Sequence, residues 1–358
     1  MPQAEFWRGR RVLLTGQTGF KGAWTWAWLT RMGAEVTGLA LAPETKPNLS
    51  VLMGLGSNSR SRIGDIRDGV AVAAAVAAAQ PQIVLHMAAQ ALVRRSYADP
   101  LETFNINVLG SLQVLHALRD RPGLEACLVV TSDKVYENNG SGRAFVESDP
   151  LGGSDPYSAS KAACEIAVSS FARSFGRALG GPVATVRAGN VIGGGDWSDD
   201  RIVPDLWRAQ QAGKPVSLRY PQATRPWQHV LEPVAGYLDF AEALVGGSVE
   251  RALNFGPIHD GPVKVSEVAE AFQRAYGLGN VTGWVQAPGE HLKEAPTLAI
   301  DANRATAVLP WRPHLSASEA IAWTAAWYAA FDQGMDMLAL TERQIAAFEA
   351  RSLKDCPT

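Results

Sequence analysis

Cysteine is scarce in this chain. Three occur in 358 residues (Cys127, Cys164 and Cys356), with no Cys-x-x-Cys pair and no spacing suited to a structural metal. So sparse and odd a set suits a reducing cytoplasm better than a disulfide framework. None of the six histidines stands in an HExxH pattern, so no metal is expected. No run of eighteen apolar residues is present, which leaves no candidate for a membrane-spanning helix. The opening MPQAEFWRGRRVLLTG lacks the apolar stretch and cleavage site of a secretory leader. An excess of one charge is also missing. Lys plus Arg is 33 and Asp plus Glu is 35, a net charge of −2, so there is no basic footprint for nucleic acid and no polybasic membrane patch. With 47% hydrophobic and 19% charged residues the chain is no disordered polymer. What remains is a soluble cytoplasmic enzyme or binding protein, long enough for two packed lobes.

The first half is rhythmic. An apolar run at 11–15 leads into Gly16-Gln17-Thr18-Gly19-Phe20-Lys21-Gly22, then a helical stretch from Ala23 to Leu29, then a second apolar run at 35–41 that breaks at Pro43. Strand, glycine turn, helix, strand opens a βαβ unit. The alternation continues with an alanine-rich helix at 70–79, a buried strand at 83–86, a helix over 102–119, and strands at 127–131 and 183–187. Strands alternating with helices predict an α/β fold built on a doubly wound parallel sheet. Beyond about residue 190 glycine and proline become frequent and the rhythm loosens. We therefore expect residues 1–188 to form a dinucleotide-binding domain carrying the catalytic groups. Residues 189–358 would form a smaller mixed α/β substrate lobe, with the chain free to cross between the two.

Gly16, Gly19 and Gly22 form GxxGxxG directly between a strand and a helix. One glycine permits the turn, one admits a pyrophosphate and one allows close helix packing. The helix N-terminus then favours the phosphates. At the end of the second strand, Leu39-Ala40-Leu41-Ala42 offers neither an acid for a ribose 2′-hydroxyl nor an arginine for a 2′-phosphate. Asp65, in Gly64-Asp65-Ile66, is placed to contact adenine instead, and NAD is the preferred cofactor.

Thr131-Ser132-Asp133-Lys134 stands at the carboxyl end of a strand, where open α/β sheets place chemistry. Downstream, Tyr157 and Lys161 lie four apart on one helix face. A phenol titrates near pH 10 and is a poor base at neutrality. A neighbouring ammonium and a cationic nicotinamide would pull it down, so that Tyr157 removes a hydroxyl proton while hydride leaves the same carbon. Ser132 would orient that hydroxyl. Trp24 and Trp28 share a helix face and read as core, whereas Trp227 beside Arg225 reads as a ligand contact. Cys127 and Cys164 read as small buried apolar residues.

These stretches resemble the extended short-chain dehydrogenase/reductases that act on nucleotide sugars, a Rossmann-type family, and within it the 4,6-dehydratases of CDP-glucose. The resemblance runs through TGQTGFKGAW (15–24), GDIRD (64–68), HMAAQALVRRSY (86–97), TFNINVLGS (103–111) and TSDKVYEN (131–138). It continues in DPLGGSDPYSASK (149–161), RAGNVIGGGDWSDDRIVPD (187–205), RPWQHVLEP (225–233), NFGP (254–257) and LAIDANRA…LPWRP (298–313).

What it implies is oxidation at C4 by Tyr157, Lys161, Ser132 and NAD, loss of water across C5–C6, and return of hydride to C6. The product would be a 4-keto-6-deoxy sugar, a precursor of surface polysaccharides such as O-antigen. Elimination needs an acid at O6 and a base at C5. Asp133 is the implied acid. Lys134 stands where dTDP-glucose dehydratases carry a glutamate base, so either Lys134 or Tyr157 takes the C5 proton. The resemblance assigns the cofactor to Gly16, Thr18, Gly19, Phe20, Lys21, Gly22, Asp65, Ile66, Ala88, Ala89, Gln90, Tyr157 and Lys161. It assigns the nucleotide sugar to Gln90, Arg94, Asn190, Arg201, Arg225, Trp227 and His229, and gives Asn107 a supporting role beneath the active site. It also implies a homodimer. The chain departs from the pattern in its polar, glycine-rich loop at 137–144 and at Ser154, where an aromatic residue is usual.

Overall fold

The computed structural model describes residues 1–257, 263–277, 282–291 and 297–354. Seven strands build its main sheet: β1 (Arg11–Thr15), β2 (Glu35–Ala40), β3 (Ser61–Ile63), β4 (Ile83–His86), β5 (Ala126–Val130), β6 (Val183–Ala188) and, after a short excursion through β7 (Val191–Ile192), β8 (Val216–Leu218), β9 (Thr224–Arg225) and β10 (Gln228–His229), the strand β11 (Ala252–Phe255). Their spatial order is β11-β6-β5-β4-β1-β2-β3, and every neighbouring pair is parallel. The strand residues explain the burial on both faces. Val12 and Leu14 enter one hydrophobic cluster while Leu13 enters the other, and Cys127 and Val129 alternate with Leu128 and Val130 in the same way.

Helices cover both faces. They include α1 (Phe20–Arg31), α2 (Gly69–Ala79), α3 (Pro100–Phe104), α4 (Ser111–Leu118) and the long α5 (Pro156–Leu179). Trp24 and Trp28 on α1 are wholly buried, as their spacing predicts. The helix expected over 102–119 is interrupted. Asp99 caps α3 by accepting the Glu102 N–H at 2.8 Å, and a π-helical stretch, Asn105–Gly110, separates α3 from α4. Gly110 lets Ile66 pack close, since a Cβ there would stand 2.8 Å from Ile66 Cδ1.

The chain order reverses between β1 and β4, with β2 and β3 on one side and β5 and β6 on the other. That switch point sets the crevice where ligands of such sheets bind. After β6 the chain leaves the sheet through α6 (Ile202–Gln211), then returns as α7 (Leu231–Val245), which packs on β5 and β11, and as β11 itself, paired with β6. The sheet thus takes its last strand from beyond residue 188. The remaining helices, among them α8 (Val265–Tyr276), α9 (Ala317–Asp332) and α10 (Met337–Lys354), pack beside it; α8 lies on α6 and α9, and α10 on α1. No helix among the described residues is long and apolar enough to cross a membrane.

Candidate active site

The glycine turn has the geometry its spacing predicts. Gly16 has φ +83°, and a Cβ on it would lie 2.8 Å from the Ala88 nitrogen, so only glycine lets the end of β1 touch the loop after β4. At Gly22 a Cβ would be 2.0 Å from the Gly16 oxygen, which is the close helix packing the motif requires. Gly19, the residue before α1, meets only the Gly16 oxygen at 3.4 Å, and no side chain caps the first N–H groups of the helix. An open cradle with free backbone donors fits a pyrophosphate. Thr18 ties the turn to β2 by donating to the Leu41 oxygen at 2.9 Å, and Phe20 packs towards Gly193.

Lys21 points inward. Its Nζ donates to Tyr237 Oη at 3.5 Å, and burial, with Arg201 and Lys161 nearby, lowers its pKa to about 8. The Asp65 carboxylate is gripped by Arg67 through Nε at 2.9 Å and NH2 at 2.6 Å, which holds it below the ordinary carboxylate range. The expected adenine contact therefore has a competitor two residues along the chain. Ile66 is buried against Gly110. Ala88 and Ala89 lie half-buried in the loop after β4. Gln90 was expected to reach a ligand, but its carboxamide is committed between that loop and α3. Its Nε2 donates to Thr103 Oγ1 at 2.9 Å and its Oε1 accepts the Leu92 N–H at 2.6 Å, so it shapes the loop.

Ser132, two residues beyond β5, has extended backbone and caps a single turn of 3-10 helix, Asp133–Val135. Its Oγ donates to Asp133 Oδ1 at 3.1 Å and accepts the Lys134 N–H at 3.2 Å, and it hydrogen-bonds Tyr157, which α5 delivers from its first turn. Asp155 caps that helix and Pro156 opens it. Lys161, one turn on, donates its Nζ to the Val130 oxygen at 3.2 Å. The expected lowering of the phenol by Lys161 is not what the structure holds. Burial raises Tyr157, opposed by the Ser132 hydrogen bond and the Arg201 charge, while the Lys161 ammonium donates to the backbone of β5.

Asp133 is buried, and its Oδ2 has no hydrogen-bond partner. Burial pushes its carboxyl up, against the pull of Lys134, Ser132, Arg225 and Lys21. Gly189 makes room for it, since a Cβ there would stand 3.2 Å from Asp133 Oδ2 and 2.4 Å from Pro226 Cγ.

Beside these groups opens a cavity of about 130 Å³ lined by Asn190, Arg201, Arg225 and Trp227 and also by Asp205, Arg219 and Tyr220. Arg201 donates to the Ala91 oxygen at 2.9 Å, Arg225 to the Thr224 oxygen at 2.8 Å, and Trp227 Nε1 to the Val263 oxygen at 3.2 Å. Arg94 meets Asp200 at 2.8 Å on the rim. His229 is a correction. It is fully buried, packed edge-on between Trp24 and Trp323 at 5.7 and 5.8 Å, and it does not line the cavity. Tyr237, Asp205 and Arg219 were not foreseen. Asp205 lay within a recognised motif, whereas nothing in the sequence signals that Tyr237, in the middle of an apolar helix, faces Lys21. Among the described residues no group of three His, Cys, Asp or Glu side chains could hold a metal ion. Cys127 and Cys164 are buried and unpaired, and Cys356 lies outside the described residues.

Residues 12–256 match the family described as NAD dependent epimerase/dehydratase. The chain is 39% identical over 355 residues to the CDP-glucose 4,6-dehydratase of Salmonella typhimurium, covering 97% of this chain and 98% of that one. Its structure is similar to that of the Thermus thermophilus UDP-glucose 4-epimerase in complex with NAD, with a TM-score of 0.75, 27% identity, and 89% and 98% of the two chains covered. It shares the fold of DesIV, a dTDP-glucose 4,6-dehydratase of Streptomyces venezuelae, with a TM-score of 0.75, 24% identity, and 92% and 99% of the chains covered.

Proposed function

The chain belongs to the NAD dependent epimerase/dehydratase family, and from that premise we propose that it converts CDP-glucose to CDP-4-keto-6-deoxyglucose. The observation that carries this reading is the buried, unpartnered Oδ2 of Asp133 beside the Ser132–Tyr157 pair. A 4-epimerase returns hydride to C4 and needs no acid for elimination. A dehydratase must protonate a departing hydroxyl, and a carboxyl raised by burial is suited to hold that proton.

NAD fits the glycine turn, where Gly16, Thr18, Gly19, Phe20 and Gly22 would hold its pyrophosphate, with Asp65, Ile66, Ala88 and Ala89 flanking it and Lys21, Tyr157 and Lys161 towards its nicotinamide. When bound, NAD would supply the hydride acceptor for C4 and the hydride donor for C6. Tyr157 takes the C4 hydroxyl proton, Ser132 orients that hydroxyl, and Lys161 fixes the helix turn that carries the phenol. The ketone at C4 acidifies C5. Lys134, or Tyr157 once it has passed its first proton to solvent, takes the C5 proton, Asp133 gives its proton to O6, which leaves as water, and C5 regains a proton from solvent as the hydride reaches C6. No net oxidation results. Arg225, Arg201 and Asn190 suit a diphosphate, guanidinium being a bidentate partner for it, and Trp227 forms part of the cavity wall. Arg94 closes the rim. The product suits enzymes that reduce or transaminate a 4-keto-deoxysugar. We take the working form to be a cytoplasmic homodimer.

Proton NMR of the purified protein with CDP-glucose and NAD⁺ in deuterated water tests this. A new C6 methyl signal with deuterium at C5 is expected. Tyr157→Phe should lose about a thousandfold or more in rate while still binding the nucleotide sugar. An unchanged spectrum with CDP-, dTDP- and UDP-glucose sinks the dehydratase reading, and a C4-inverted product replaces it with epimerisation.

A further inference from the structure

A buried chain of hydrogen bonds runs from the cofactor turn to the helix that carries Tyr157, and its centre is His86. Thr15, the residue before Gly16, meets His86 Nδ1 through Oγ1 at 2.7 Å. His86 Nε2 meets Ser111 Oγ at 2.9 Å, and Ser111 Oγ donates to the Asn107 oxygen at 2.8 Å. Asn107 Nδ2 donates to Ser160 Oγ at 2.9 Å, and Ser160 donates to the Tyr157 oxygen at 2.7 Å. Every member is buried.

Counting donors gives the chain a direction. Thr15 Oγ1 accepts the Ala88 N–H at 3.1 Å and shares the Met87 N–H, at 3.1 Å, with its own backbone oxygen, so its proton goes to His86 Nδ1. Ser111 gives its only proton to Asn107, so it accepts from His86 Nε2 and from Cys164 Sγ at 3.5 Å. Only the neutral ring with its proton on Nε2 satisfies both neighbours. Burial and the nearby Lys161 charge lower the His86 pKa to about 3, consistent with a ring that stays neutral. The π-helical stretch Asn105–Gly110 places Asn107 where it also brackets Gln90, accepting its N–H at 2.9 Å and donating to its oxygen at 3.0 Å. One network thus seats the glycine turn, the loop after β4 and the first turn of α5.

We infer that His86 is a positioning residue for Tyr157, acting as the neutral Nε2–H joint of a one-way hydrogen-bond chain between the cofactor turn and the catalytic helix. It touches no reacting atom. It acts by fixing where the phenol stands relative to the dinucleotide, an alignment in which an error of about 1 Å costs on the order of a hundredfold in rate. The kinetic part of the test rests on the dehydratase reading, whereas the ring's protonation does not.

Nitrogen-15 NMR of histidine-labelled protein reads that protonation, with His86→Asn identifying the resonance. The expected ring carries its proton on Nε2 and does not titrate between about pH 6 and pH 8.5. A ring that titrates there, or that is protonated on Nδ1, overturns the inference. In steady-state kinetics Ser111→Ala and His86→Asn both break the joint to Asn107, so each should lower kcat by about tenfold to a hundredfold with the nucleotide-sugar KM unchanged. The isotope effect on kcat from substrate deuterated at C4 should rise, because a displaced phenol slows the hydride step. The double variant should be no worse than the poorer single one, and His86→Gln, which can still donate to Ser111, should recover most of the rate. Unchanged kcat in both single variants, or losses that multiply in the double, overturns the positioning role. A wild-type protein without turnover defeats the dehydratase reading instead, and the ring's protonation then decides the chain.

Discussion

His229 carries no charge at neutral pH, because burial between two tryptophans lowers its pKa to about 3 from an ordinary 6.5. The unfolded chain therefore binds a proton between those values that the folded protein refuses, so stability is lost as pH falls from 6.5 towards 3. At pH 5 the loss from this one ring is about 2 kcal/mol. Urea unfolding of the protein and of His229→Phe at pH 7.5 and pH 5 checks it. The variant should weaken by about 2 kcal/mol less than the wild type on acidification, because His86 and the buried carboxyls are common to both and cancel. Parallel pH dependence would defeat the assignment. At this scale the sequence was most legible where a residue type has one physical use in one local frame. Gly16 and Gly22 stand where no Cβ fits, and Tyr157 and Ser132 hydrogen-bond each other across elements. His229 and Gln90 misled, because a polar side chain in a ligand-side motif can equally be turned inward to satisfy its own loop or core, and only three-dimensional packing shows which.

Helix α5 is held to the sheet by a buried ion pair as well as by apolar packing. Glu165, one turn beyond Lys161, receives Arg187 of β6 through Nε at 2.9 Å and NH2 at 2.8 Å, and also accepts the hydroxyls of Thr131 and Thr185. Arg187 extends the network to Tyr136 Oη at 2.8 Å, and Tyr136 donates to Asn254 of β11 at 2.6 Å. The Glu165 carboxylate accepts four hydrogen bonds, two on each oxygen, so the pair is costly to break from one side. Arg187→Leu should destabilise by about 3–5 kcal/mol, because it strands a buried carboxylate, while Glu165→Leu combined with Arg187→Leu should cost clearly less. Thermal unfolding of the two variants separates these outcomes, and equal losses would show that the apolar replacement itself is at fault. The network also explains what the sequence concealed about elements. Helices α1 and α2 and the apolar runs of β1, β4, β5 and β6 announced themselves, whereas β3 is only three residues long and β11 breaks its apolar run with Asn254. The π-helical stretch within 105–110 was invisible, since a wider turn changes hydrogen bonding without changing residue type.

Composition averaged over 358 residues hides where the apolar surface lies. On α3, the following π-helical stretch and α5, which pack together, Leu101 is 82% exposed, Leu109 56% and Ile166 58%, with Tyr97 just before them half-open. Exposed apolar side chains on elements that pack together are what a surface covered by a second copy would present. The proposed homodimer supplies the occupant, since a two-fold interface buries one patch against itself and needs no complementary partner. It also bears on the active site. α5 holds Tyr157 and Lys161 on its buried edge and Ile166 on the edge facing solvent, so a second copy would stiffen the helix that carries the proposed base. Sedimentation equilibrium should give twice the 38.3 kDa of the chain. Leu109→Asp combined with Ile166→Asp should halve that mass, because a buried carboxylate meeting its own symmetry mate is repelled and desolvated together. The monomer so produced should retain its far-ultraviolet circular dichroism while losing turnover more than nucleotide-sugar affinity. A wild-type protein that sediments as a monomer removes the dimer. A variant that stays dimeric moves the interface elsewhere on the surface.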